Sequence, residues 1–115
     1  MHELSIAVSI VERIEDEAEK RGVEKVEAVH LKLGALSGVD RDALAFSYEV
    51  ACEGTPLEGS RLVIEAVGVV MYCAGCCREH SPKSERELCC PRCFTPSQEV
   101  IHGRELEVTA FEIVA

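Results

Sequence analysis

The sequence predicts an α+β fold: a small mixed β-sheet carrying two α-helices, with a compact cysteine-ligated metal module inserted into it. Three observations carry that prediction. Two stretches repeat apolar residues every three or four positions, several shorter ones are β-rich, and two Cys-x2-Cys pairs stand thirteen residues apart. The 115 residues, 47% of them hydrophobic, suffice for one modest core plus a small metal-stapled lobe.

The first helix is expected from Leu4 to Lys20, where Leu4, Ala7, Val8, Val11, Ile14 and Ala18 form one stripe. Glu12, Glu15, Asp16 and Glu19 take the other side, a solvated acidic surface. Lys20 and Arg21 suit a helix C-terminus, and Gly22 accepts the left-handed residue that closes it. A strand follows, with Val29, Leu31 and Leu33 alternating against His30 and Lys32. Val26 and Ala28 have the opposite parity, which means either two covered faces or a bulge. Gly34 and Gly38 bracket the next turn.

Asp40 is placed to cap a second helix running to about Cys52. Leu44, Ala45, Tyr48 and Cys52 trace its core stripe, and Ala43, Phe46 and Val50 widen it. Glu53-Gly54 stops it, and the loop to Gly59 feeds a β-rich run, Leu62 to Tyr72, that enters the first cysteine pair. A final strand, Glu105 to Val114, leaves after the second pair. The division expected is therefore a domain of residues 1–71 and 104–115 with a module at 72–103 inserted in it.

Cys73-x2-Cys76 and Cys90-x2-Cys93 read as a structural site for Zn2+, zinc-ribbon-like, since each short turn aims two thiolates at one ion and two turns complete a tetrahedron. Gly75 and Pro91 suit the tight knuckles. Cys77 and Cys89 adjoin the inner ligands and would give Cys-x3-Cys pairs in their place; the x2 register is preferred. A disulfide framework would need an oxidising compartment, and the opening MHELSIAVSIVERIEDEAEK has no basic n-region, long apolar stretch or cleavage site. Seven cysteines also cannot all pair, and Cys52, alone on a helical stretch, reads as a small buried hydrophobe. The thiols indicate a cytoplasmic protein, and no apolar run approaches the roughly twenty residues a membrane span needs.

Zinc ribbons often bind nucleic acid, so a module of the nucleic-acid machinery is the competing reading. The formal net charge of -9 opposes it, and four thiolates on one Zn2+ make the charge more negative still. Arg78, Lys83, Arg86 and Arg92 are offset locally by Glu79, Glu85 and Glu87. No nucleic-acid partner is expected. Enzyme readings also fail: His2-Glu3 begins like a zincin motif but no second histidine follows at the required spacing, no phosphate-binding Gly-x4-Gly-Lys loop exists, and a closed four-cysteine site leaves no position for a reacting water.

In this order, the Met1-His2-Glu3 opening, the amphipathic helix, Leu33-Gly34-Ala35-Leu36-Ser37, Glu58-Gly59 before a strand, Cys73/Cys76 and Cys90-Pro91-Arg92-Cys93 make the chain resemble the HypA/HybF family of hydrogenase nickel-incorporation chaperones over almost its whole length. The resemblance implies a cytoplasmic metallochaperone, a monomer or weak homodimer, with an N-terminal nickel site and a structural zinc site. It implies delivery of Ni2+ to the immature large subunit of a [NiFe] hydrogenase alongside a partner GTPase. The nickel ligand maps to His2, with Met1 and Glu3 supplying neighbouring atoms, and the zinc ligands to Cys73, Cys76, Cys90 and Cys93. Cys77, Cys89 and Phe94 depart from the family pattern.

The opening tripeptide has its own chemistry. His2 sets an imidazole beside the α-amine of Met1, and with the intervening backbone nitrogen they form a nitrogen-rich set that suits Ni2+ or Cu2+. The bland alternative is an exposed, frayed residue. His30, His80 and His102 carry weaker claims as solvated or hydrogen-bonded residues. Asp40 either caps its helix or turns its carboxylate towards a metal at the terminus.

Overall fold

A computed structural model describes residues 2–82, 89–94 and 99–114. Its elements are α1 (His2–Lys20), β1 (Val26–Gly34), α2 (Arg41–Cys52), β2 (Arg61–Val67), β3 (Val70–Cys73), β4 (Arg78–His80), β5 (Glu99–His102) and β6 (Leu106–Ile113). The strands form two three-stranded sheets, ordered β2-β1-β6 and β4-β3-β5. This is the expected α+β fold with two helices. The chain divides into two compact units, one of Met1–Leu31, Val39–Glu65 and Glu107–Ala115, the other of Lys32–Gly38 and Ala66–Leu106.

In the first unit, α1 buries Ala7, Ile10, Val11, Ile14 and Ala18. The Val23 N–H bonds to the Ala18 carbonyl at 2.8 Å and the Gly22 N–H to that of Glu19 at 3.1 Å. With Gly22 at φ 69°, this is the paired-bond closure expected of a glycine stop. The Asp40 side chain accepts from the Ala43 N–H at 2.9 Å, capping α2 as its sequence predicts. Only Leu44, Tyr48 and Cys52 of α2 are buried. Phe46 and Val50, expected to widen the core stripe, are 68% and 44% exposed. At about 100° per residue they lie roughly 120–160° around the helix from Leu44, beyond the arc that meets the core.

The core joins Ile10, Val11, Ile14, Val26, Val29, Leu31, Leu44, Tyr48 and Leu57. Ala28 and Val29 are both fully buried, so β1 is covered on both parities, one of the two arrangements its broken alternation allowed. The Val114 N–H reaches the Lys25 carbonyl at 3.1 Å and Thr109 Oγ1 the His30 carbonyl at 3.5 Å, which sets this stretch of β6 antiparallel to β1. His30 Nε2 meets Glu112 Oε2 across the pair at 2.6 Å. Tyr48 turns its hydroxyl to Ser60 Oγ at 2.7 Å, and burial pushes that phenol well above its ordinary range.

In the second unit, β3 runs antiparallel to β4, pairing Met71 with His80 and Cys73 with Arg78, and to β5, pairing Tyr72 with Glu99. The β-rich run expected from Leu62 to Tyr72 is therefore two strands, interrupted at Gly68-Val69. The segment Lys32–Gly38 joins this unit through main-chain bonds: Gly34 N–H to Glu105 O at 2.7 Å, Ala35 N–H to Val67 O at 3.0 Å, and Leu36 N–H to Gly103 O at 2.6 Å. A Cβ on Gly34 would overlap the Gly103 carbonyl, so glycine is required there by contact alone. Glu105 fixes the Gly103 turn, taking the Gly103 N–H at 2.7 Å and His102 Nδ1 at 2.9 Å.

Candidate metal centre

Strand β3 ends on Cys73, and the turn that returns the chain into β4 carries Cys76. Cys77 closes that turn at φ 53°, a left-handed conformation uncommon for a residue with a Cβ. The second knuckle is a single turn, with the Phe94 N–H bonded to the Cys90 carbonyl at 2.8 Å and Phe94 itself at φ 61°.

These turns bring four sulfurs together. Cys73 Sγ lies 3.6 Å from Cys93 Sγ, Cys76 Sγ lies 3.9 Å from Cys90 Sγ, and all four are within 4.8 Å of one another. A disulfide needs about 2.05 Å, whereas a tetrahedron with metal–sulfur bonds of about 2.3 Å has edges of roughly 3.8 Å. The donor set and its spacing therefore fit one tetrahedral thiophilic ion. Cys73 and Cys90 are buried, and Cys93 is exposed. Cys77 and Cys89 are exposed and outside the group, with Cys77 Sγ donating to the Ala74 carbonyl at 3.4 Å.

The thiols differ in acidity. N–H groups of Cys93 and Arg92 pointing at Cys90 lower its value. Cys76, hydrogen-bonded to the Cys93 and Cys90 sulfurs, is pushed up to about 12. At Cys73 the Cys76 N–H favours the thiolate, but burial and the neighbouring sulfurs outweigh it and the value rises. Sulfurs this close repel one another once ionised. A dication would hold all four as thiolates.

In the first unit, His2 and Glu3 form the first turn of α1. The His2 side chain is 60% exposed, and its Nε2 lies 3.6 Å from Glu3 Oε2. Glu3 Oε2 also accepts the Asp40 N–H at 3.2 Å, and that bond is the main reason its carboxyl titrates below the usual range. The link ties the start of α1 to the cap of α2. It was not anticipated from sequence, which has no local signal for a contact across 37 positions. The Asp40 carboxylate is occupied as a helix cap, and its backbone, not its side chain, faces Glu3. Met1, expected to supply an amine nitrogen, lies outside the described residues.

The other histidines are engaged elsewhere, His30 with Glu112 and His102 with Glu105. Cys52 is buried, 3.9 Å from Ser60 Oγ, and burial raises its thiol. Among the described residues no helix is long and apolar enough to cross a membrane.

The four-thiol cluster has the spacing of a small metal-binding protein. The chain belongs to the HypA family, described as hydrogenase/urease nickel incorporation, metallochaperone, whose sequence model matches residues 1–113. It is 51% identical over 112 residues to the hydrogenase maturation factor HypA of Chloroflexus aurantiacus, covering 97% of this chain and 98% of the relative. The protein of the same description from Streptomyces avermitilis is 40% identical over 111 residues, covering 96% and 85%. The solution structure of the Ni metallochaperone HypA from Helicobacter pylori superposes with a TM-score of 0.66 at 25% identity, covering 100% of this chain and 99% of that one. A second HypA solution structure superposes with a TM-score of 0.74 at 23% identity, covering 99% and 97%, and supports the fold. The chain is thus of the nickel metallochaperone family of hydrogenase maturation, with a four-cysteine metal cluster.

Proposed function

We propose that this protein binds Ni2+ as cargo at its N-terminus and delivers it in the cytoplasm to the immature large subunit of a [NiFe] hydrogenase, alongside a maturation GTPase. It has no catalytic activity of its own. The observation that carries the reading is the first turn of α1. An accessible His2 imidazole stands next to a carboxylate whose titration the Asp40 N–H lowers, so an imidazole nitrogen and an anionic oxygen lie side by side, the donor types that suit a divalent ion. The Met1 amine and the intervening amide nitrogen add to the set.

Cys73, Cys76, Cys90 and Cys93 would hold Zn2+, which supplies charge to four thiolates and cross-links the two knuckles. The two roles separate by chemistry: soft sulfur at tetrahedral spacing for the resident ion, nitrogen and oxygen for the cargo. Residues 1–71 and 104–115 then serve as the nickel-binding domain and 72–103 as the zinc module.

The test is calorimetric titration of three zinc-loaded proteins with Ni2+: the native terminus, one glycine added before Met1, and His2→Ala. Saturable one-to-one binding is expected for the first, with affinity at least tenfold weaker in both others. Near-equal affinity in all three ends the N-terminal reading. Loss confined to His2→Ala keeps the imidazole and removes the amine.

A further inference from the structure

The core of the first unit leaves an apolar surface uncovered on its two helices. Among the described residues eight large hydrophobic side chains are exposed, and four of them, Leu4, Val8, Phe46 and Val50, lie on α1 and α2. Leu4 and Val8 are one turn apart, as are Phe46 and Val50, so each helix presents a short stripe. Between the helices lies a groove of about 280 Å³ lined by Glu3, Leu4, Ala43, Phe46, Ser47 and Val50. A phenylalanine standing 68% exposed beside such a groove is not explained by packing within the chain.

Charge identifies the occupant. Asp42 and Glu49 lie three or four positions from Phe46, Glu53 three beyond Val50, and Glu12 four beyond Val8, so each falls within a turn of the stripes and all are exposed. Arg13 and Arg41 lie on other sides of their helices, roughly 140–180° from the stripe residues. The rim is therefore acidic around an apolar floor, on a chain of formal charge -9. A second copy in symmetric contact would set this rim against itself, like charge on like charge. A segment bearing cations beside an apolar anchor matches it.

We infer that this groove docks a bulky apolar side chain, flanked by Lys or Arg, on the protein that exchanges the metal with this chain. The inference rests on the N-terminal nickel reading and deepens it, because Glu3 lines the groove and also stands 3.6 Å from the His2 imidazole. An anchor seated there holds its own protein against the cargo ligands, and the acidic rim steers a cationic partner to the side from which the ion leaves.

The experiment places the photoreactive residue p-benzoylphenylalanine at position 46 of the full chain in its native cells and sequences the cross-linked peptides. Adducts are expected on a different protein, at a segment carrying a bulky apolar residue within four positions of Lys or Arg, and are expected to fall at least tenfold when Asp42→Lys and Glu49→Lys are added. Adducts between two copies, adducts at an acidic segment, adducts insensitive to the charge reversal, or no adduct at all each overturn the inference. In parallel, Phe46→Ser is expected to bind Ni2+ within twofold of the parent while nickel-dependent hydrogenase activity of the cells falls about tenfold; unchanged activity overturns the docking role. Should the parent itself fail to bind Ni2+, the nickel reading fails, and the cross-linking still decides whether the groove docks a cationic segment.

Discussion

Cys76→Ser is expected to weaken metal retention about a hundredfold, and Cys77→Ser to leave it within about twofold. The contrast follows from position: Cys76 Sγ lies 3.9 Å from Cys90 Sγ inside the four-sulfur group, whereas the adjacent Cys77 thiol is exposed and turned back to the Ala74 carbonyl. Structural zinc contributes about 10–16 kcal/mol in small four-ligand peptides, so one thiolate of four accounts for about 3 kcal/mol on even division. At about 1.4 kcal/mol per tenfold, that is about two orders of magnitude. Removing an exposed thiol outside the group costs within about 0.5 kcal/mol. The assay equilibrates the zinc-loaded variants with graded concentrations of a chromogenic chelator at neutral pH and reads the metal remaining on each protein. A Cys77→Ser protein that releases zinc as readily as Cys76→Ser, or a Cys76→Ser protein that holds it like the parent, refutes the assignment of the inner ligand.

Gly34→Ala forces the chain off the Gly103 carbonyl and loosens the Gly34 and Leu36 hydrogen bonds, which contribute about 1 kcal/mol each, so a loss of about 2–4 kcal/mol is expected in urea unfolding; an unchanged midpoint denies the close approach. Tyr48→Phe removes the 2.7 Å bond to Ser60 in a residue 1% exposed and is expected to cost about 1–2 kcal/mol by the same measurement, with no effect meaning the hydroxyl bond is dispensable. Glu105 has its carboxyl value lowered by the His102 bond first and the Gly103 N–H next, so its stabilisation is present above the ordinary carboxylate value and disappears as pH falls through the lowered one. Thermal melts from about pH 6 to 3 are expected to fall less steeply for Glu105→Gln than for the parent; parallel curves would show that the interaction does not contribute.

The helices and the knuckles were legible because their determinants are local. Ala7, Val11, Ile14 and Ala18 of the α1 stripe, the Asp40 cap, the Gly22 stop and the two Cys-x2-Cys turns each lie within a few positions of one another, and the structure has them where the pattern placed them, whereas Leu4 and Val8 of that stripe stand exposed and Ile10 is buried in their place. The second apolar stripe of α2 misled, since periodicity reports that residues share a face without reporting whether anything covers it. Strands β4 and β5 were invisible: Arg78-Glu79-His80 has no apolar alternation, and pairing with β3 makes it a strand. The contacts of Gly34 with Gly103 and of Glu3 with Asp40 join residues far apart in sequence, where no periodic signal reaches.

The heptapeptide Lys32–Gly38 belongs to the second unit although a helix and more than two dozen residues separate it from the rest. The cysteine knuckles are consequently not a portable cassette. A peptide of residues 66–106 transplanted into another scaffold would leave the Val67, Gly103 and Glu105 carbonyls without the three donors that Ala35, Leu36 and Gly34 provide. A graft has to carry two stretches of chain in register, and a break in the chain beside this heptapeptide is expected to disturb the metal-bearing unit by freeing it from that register.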